Sequence, residues 1–384
     1  MNITRLVRTI CVANLPLAAA LSGCAVDSQS TDESLGSSKQ AWTTVPGDAG
    51  FASSIWPPGN GNANSNFSYN SSGATNLFTH LGTGQYRVDL PNLGTEPSGH
   101  VEVSAVSSGN RRCKVQNWYP AGTTMQVWVL CFDGGALADT DFTVSFVRRN
   151  DTPGPQGAYV WAFDAQSSSY DAVSSYSWNS TGGGITITHA PGTGNYWVEF
   201  SDQDMSGGTV EVTAYGSSSS YCKVTSWGGN TAGVKCFDGA TGEPIESNFD
   251  LLFNSKQPNG TPSSSYLWAD QPTASSYHPS SNYALGLINV DYSSNASVIS
   301  TAPTITRRAT GLYSVTFPDM AADRSFPFTV KVTGYGSDSD TCKAWDWSII
   351  GSDANVEVTC WDASGNPIDA FYTITFSSFA FTIG

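Results

Sequence analysis

Apolar and polar residues alternate with period two through several short runs of this chain. Val210-Glu-Val-Thr-Ala214 and Tyr313-Ser-Val-Thr-Phe317 are the clearest. That period belongs to a strand with one covered face, because successive side chains point to opposite sides of a sheet. Gly, Asn, Ser and Pro separate these runs, and no stretch carries a helical period of useful length. The pattern predicts an all-β protein.

The runs recur. Phe67-Ser-Tyr-Asn-Ser-Ser-Gly73 is echoed by Tyr176-Ser-Trp-Asn-Ser-Thr-Gly182, and a third copy starts similarly at Tyr283 before diverging. Gly84-Gln-Tyr-Arg-Val88, Gly194-Asn-Tyr-Trp-Val198 and Gly311-Leu-Tyr-Ser-Val315 follow. Next come Val101-Glu-Val-Ser-Ala105, Val210-Glu-Val-Thr-Ala214 and Val330-Lys-Val-Thr-Gly334. Trp56, Trp161 and Trp268 open the copies, and each copy closes with an apolar run, at Phe142–Phe146, Phe249–Phe253 and Phe371–Phe376. Self-similarity at a fixed period marks repeated structural units. The expected architecture is three tandem β-sandwich-like or small-barrel domains of about 100 residues, over 49–149, 157–255 and 265–384. Asn150–Gln156 and Gln257–Ser264 read as linkers. The third copy carries an insertion near Leu285 to Arg308. The repeats resemble tandem domains of exported proteins of uncharacterised function.

Each copy holds one pair of cysteines, at Cys113 and Cys131, Cys222 and Cys236, and Cys342 and Cys360. The repeat therefore selects one disulfide per unit, stapling a hairpin across its strands. Closing a loop of about 15 residues this way stabilises by roughly 3 kcal/mol in the chain-entropy treatment. No Cys-x-x-Cys spacing or neighbouring His pair supports a zinc site, and no metal or cofactor is expected.

Ahead of the repeats, Arg5 and Arg8 precede an apolar stretch from Thr9 to Leu21, too short to span a bilayer as a helix. It ends in Leu21-Ser22-Gly23-Cys24, which resembles the bacterial lipobox. That resemblance implies a lipoprotein signal peptide over 1–23, cleavage before Cys24, and acylation (palmitate among the chains) of Cys24 as the first mature residue. Cys11 would leave with the signal. Ala25, in place of an aspartate retention signal, points to the outer membrane or cell surface. Acyl chains anchor through roughly 0.8 kcal/mol per buried methylene. The polar stretch 24–48 reads as a flexible tether.

The formal net charge of −15 excludes nucleic acid as a partner, since a polyanion needs a basic stripe. Charged residues are only 13% while aromatics reach 12%, a composition suited to an extracellular β-protein.

No catalytic motif stands out. His80, His100, His189 and His278 do not occupy one position common to all copies, and no Gly-x-Ser-x-Gly flanks a serine in a nucleophile context. Asp133, Asp238 and Asp362 follow the second cysteine in each copy and read as turn carboxylates, in preference to calcium ligands. Trp118, Trp227 and Trp347 recur near the first cysteine and read as core. Tyr119, Trp178 and Trp197, which are not repeated, are the candidates for surface display and ligand stacking. The expected function is lipid-anchored binding or adhesion without catalysis, with polysaccharide or a surface protein as partner. The alternatives are a structural envelope protein, and a hydrolase with its site in the third copy around His278.

Overall fold

A computed structural model describes residues 47–55, 60–149, 157–255, 264–286, 288–291, 296–299, 302–320 and 327–377. Cys24, Trp56 and both linkers (save Ser264) lie outside the described residues, as does the stretch 24–46. The described residues are all-β, with two single-turn 3-10 segments at Ser65–Phe67 and Ser174–Tyr176 and no α-helix. No helix among them is long and apolar enough to cross a membrane.

Each copy is a two-layered antiparallel sandwich with its own core. In the second copy, Gly157–Ala162, Ser177–Asn179, Asn248–Asn254 and Thr209–Tyr215 form one layer. Ser169–Asp171, Ile185–Ala190, Asn195–Phe200, Thr231–Phe237 and Tyr221–Gly228 form the other. Val160, Val198, Val210, Val224, Val234, Leu251 and Phe253 are fully buried between them. Cys113–Cys131, Cys222–Cys236 and Cys342–Cys360 are bonded, each pair directly opposed across a hairpin, as the repeat implies.

Six strands carry the argument from here. β1 (His100–Val106), β3 (Thr209–Tyr215) and β5 (Thr329–Tyr335) are equivalent edges of the first layers. β2 (Arg111–Ala121), β4 (Tyr221–Gly228) and β6 (Thr341–Ile350) carry the first cysteine of each copy. β2 pairs in parallel with β3 through Val115 and Tyr215, β4 with β5 through Val224 and Tyr335, and β6 with β1 through Ala344 and Val106. Each of the three large sheets thus joins one layer of one copy to one layer of the next. The last copy joins the first, so the sandwiches close into a ring with pseudo-threefold symmetry. The described residues belong to one compact unit.

Hydrogen bonds follow the same cycle. Thr213 Oγ1 donates to the Val103 carbonyl (3.2 Å), Thr333 Oγ1 to Val212 (3.5 Å) and Ser104 Oγ to Val332 (3.3 Å). Thr143 and Thr373 add bonds to the Val330 and Val210 carbonyls, at 2.8 and 2.9 Å.

Closure changes what alternation means in β1, β3 and β5. The period suggests one covered face, yet all seven residues of β1 are buried. The apolar set enters its own sandwich while the polar set meets its counterparts around the axis. Glu102, Glu211 and Lys331 occupy equivalent positions there at 3%, 0% and 3% exposure. Lys331 Nζ lies 3.7 Å from Glu211 Oε2, and His100 Nε2 lies 3.0 Å from Glu102 Oε1. Charges so deep require partners of this kind. Burial holds the Glu102 carboxyl well above the usual carboxylate range and pushes the Asp250 carboxyl up to about 7.

Candidate binding site

At the first two junctions aromatic rings lock neighbouring copies together. Trp118 contacts Trp161, Tyr176 and Tyr215 at ring separations of 5.6, 5.5 and 5.5 Å. Trp227 contacts Trp268, Tyr283 and Tyr335 at 5.8, 5.4 and 5.5 Å. These edge-on contacts make the repeated tryptophans interface core.

The third junction is built differently. Strand register places Ser53 opposite Thr143, where Trp161 faces Asp250 and Trp268 faces Thr373. Val106 takes the place of Tyr215 and Tyr335. Only the Phe67–Trp347 contact, at 6.0 Å, remains of the ring cluster among the described residues. A cavity of about 660 Å3 lies at this junction, lined by Ser54, Val106, Ser107, Arg111, Asp139, Asp141, Trp345 and Asp346 together with Phe78, His80 and Tyr86. Its volume is that of an ordinary small-ligand site. The corresponding groove of the second copy is smaller, about 360 Å3, and is lined by residues of that copy alone, Phe163, Tyr215 and Glu246 among them.

A backbone irregularity aims Trp345 at this space. β2, β4 and β6 each carry a bulge directly after the valine or alanine that lies two residues beyond the first cysteine, between Val115 and Asn117, Val224 and Ser226, and Ala344 and Asp346. A bulge places one extra residue outside the ladder and re-aims its side chain. The extra residues are Gln116, Thr225 and Trp345, so only the third copy presents a ring there. Trp345 keeps 43% of its surface exposed.

The polar groups around it are pre-set. His80 Nε2 lies 3.0 Å from Asp139 Oδ1, which also accepts from Tyr86 Oη (3.1 Å) and the Gly84 N–H (2.7 Å). The Gly84 N–H and the His80 and Tyr86 bonds hold the Asp139 carboxyl below its ordinary range, against the opposing effect of burial. Gly84 has φ +65°, and a Cβ there would meet the Cys131 carbonyl oxygen at 2.5 Å. Arg111 donates to the Asp139 carbonyl at 2.7 Å. Asp141 accepts from Ser54 Oγ at 3.1 Å, and burial raises its carboxyl above the ordinary range.

The His80–Asp139–Tyr86 cluster has counterparts in the other two copies. His80, His189 and Arg307 are cross-strand partners of Tyr86, Tyr196 and Tyr313. His189 meets Glu246 at 3.2 Å, and Arg307 meets Asp369 at 2.8 Å. Asp369 likewise accepts from the Gly311 N–H (3.0 Å) and Tyr313 Oη (3.1 Å). The same latch, a basic side chain held on a carboxylate beside a tyrosine, is thus built with histidine in two copies and arginine in the third. The latch leaves no common motif in the sequence, because the third copy writes it with a different residue.

The other sequence candidates scatter. Trp178 is buried, stacked on Tyr159 at 6.0 Å with the Arg149 guanidinium 4.9 Å from its ring, so it displays no free face. Tyr119 and Trp197 are exposed but do not line the cavity. His100 is core. His278 Nδ1 lies 3.0 Å from the Pro303 carbonyl oxygen, and no carboxylate contacts it among the described residues. The described part of the third-copy insertion includes a two-stranded hairpin, Ile288–Asp291 with Ala296–Ile299. Asp238 and Asp362 cap turns, accepting from the Thr241 N–H (2.9 Å) and the Asn366 N–H (2.8 Å). Asp133 instead pairs with Arg111 at 3.8 Å. No cluster of three or more His, Cys, Asp or Glu side chains could hold a metal among the described residues.

Comparison with protein families, with curated proteins and with solved structures finds no match to this chain.

Proposed function

We propose that this chain is an exported, lipid-anchored binding protein that captures a glycan at the junction of its first and third copies. Trp345 is the observation that carries the reading. A pyranose presents an apolar face of C–H groups, and a flat, half-exposed ring offers large contact area at small entropic cost. Carboxyl oxygens accept hydrogen bonds from sugar hydroxyls; Asp346, Asp141 and Asp139 supply them beside the ring. Arg111 provides donors on the same wall. Among the described residues only this junction presents a ring at the bulge, while the first two pack their rings into the interface.

The lipobox-like sequence ending at Cys24 supports anchoring in the envelope, where cell-surface polysaccharides are the partners; three disulfides fit the oxidising compartment an exported protein reaches. The reading involves no catalysis: the carboxylates of the cavity serve as hydrogen-bond acceptors. The test is a glycan array probed with the wild-type chain and with Trp345→Ala. Saturable binding by the wild type, absent in the variant, supports the reading; equal binding by both removes it.

A further inference from the structure

Three lysines, Lys114, Lys223 and Lys343, follow the first cysteine of their copies and converge on a second cavity of about 70 Å3 around the pseudo-threefold axis. Ser104, Thr213 and Thr333 line it with Arg112, Ser220 and Thr341. That volume accommodates a few water molecules or one small oxyanion. All three lysines are buried, at 2%, 1% and 3% exposure.

Each lysine reaches toward the same position of the next copy, two residues before its cysteine, and that position differs each time. Lys223 finds Asp340 there, and also meets Asp338 at 2.7 Å. Lys114 finds Ser220, a neutral hydroxyl, at 2.8 Å. Lys343 would find Arg111, whose guanidinium instead pairs outward with Asp133. The Lys343 ammonium has no hydrogen-bond partner among the described residues, only the Trp361 ring at 5.8 Å. Thr341 Oγ1 and Arg112 Nε and Nη1 are buried and equally without a hydrogen-bond partner. Arg112 lies over the Tyr221 ring at 4.5 Å and donates to the Gly239 carbonyl at 2.6 Å.

Two buried ammonium groups and a guanidinium therefore line one cavity whose lining residues include no carboxylate, Asp338 and Asp340 being paired with Lys223 beside it. An ammonium with no counter-ion is costly in such a place. We infer that the axial cavity is a binding site for a small tetrahedral oxyanion of the phosphate or sulfate class, held by Lys343, Lys114 and Arg112. Lysine and arginine are the usual donors to such oxyanions, and threonine and serine hydroxyls complete the shell. Burial draws the Lys114 and Lys343 ammonium groups down to about 7, with Arg112 adding repulsion at Lys343. A bound oxyanion favours their charged forms, so binding takes up protons and weakens as the pH rises above about 7.

The experiment is calorimetric titration of the full chain with inorganic phosphate and, separately, with sulfate, in a chloride buffer, alongside thermal melts. The expected result is saturable binding and a melting temperature that rises with oxyanion concentration. Lys343→Met keeps the length of the side chain and removes the charge; it is expected to cost at least tenfold in affinity and to melt higher than wild type when no oxyanion is present. Arg111→Asp restores the carboxylate that Lys223 enjoys and is expected to abolish the oxyanion-dependent shift, which keeps the test decisive if Lys343→Met fails to fold. No heat and no shift with either oxyanion would overturn the inference, as would undiminished binding by a folded Lys343→Met or Arg111→Asp. Phosphate bound without sulfate, or the reverse, decides between the two oxyanions.

Discussion

The Ser107 N–H donates to the Ala344 carbonyl at 3.0 Å, which hydrogen-bonds the last copy of the repeat to the first. The bonds from Gly216 to Val115 and from Gly336 to Val224, both 2.9 Å, are its equivalents at the other two junctions. Through them the three sandwiches share sheets and bury a common axis.

Shared sheets predict one unfolding event. Scanning calorimetry of the full chain should give a single transition with calorimetric and van't Hoff enthalpies in agreement. Three resolved transitions would mean that each copy unfolds alone and that the ring contributes little.

Trp227 packs on Trp268, Tyr283 and Tyr335 at a junction, so its removal strips an interface and leaves a void. Trp227→Ala should cost about 3–5 kcal/mol in denaturant titration. Trp197→Ala, on an exposed ring, should change stability by less than about 1 kcal/mol.

The two cysteines of Cys222–Cys236 are separated by 14 residues in sequence, a short loop. Replacing both by alanine should destabilise by roughly 3 kcal/mol, read as a fall in the denaturant midpoint.

Asp250 stands on the axis where the other copies have Thr143 and Thr373, with its Oδ1 3.6 Å from His100 Nδ1. Burial raises its carboxyl to about 7, so the folded chain holds a proton that the unfolded chain releases near pH 4. Its contribution is therefore least unfavourable at low pH and grows more destabilising as the pH climbs from about 4 to about 7. Glu102 acts in the same sense, and His100, whose imidazolium is disfavoured by burial, acts oppositely below its ordinary value. Asp250→Asn should gain on wild type as the pH rises across that window, by more than about 1 kcal/mol at pH 8. A constant difference between the two proteins at pH 4 and pH 8 would contradict this.

Much of the fold is legible in the chain, and the reasons are local. Period-two runs and recurring cysteines are short-range signals, and they identify the sandwiches and all three disulfide pairs. Ring closure is not, because each junction's ladder rests on one parallel residue pair, such as Val115 with Tyr215, which leaves no pattern. Glu102 and Glu211 mislead for the same reason: a polar residue at every second position reads as solvent-facing unless the axis is known. Trp345 escapes because its direction comes from a bulge, while the sequence points to Trp178, which the fold buries. The latch residue His80 is hidden by the arginine that replaces it at Arg307.

The most direct test of the proposed function is calorimetric titration of the full chain with a glycan that it retains on an array, repeated with Trp345→Ala. One site per chain, with affinity falling at least tenfold in the variant while its melting temperature stays within a few degrees of wild type, is the predicted result. Three equivalent sites per chain, or affinity unchanged in Trp345→Ala, would contradict a single site at the junction of the first and third copies.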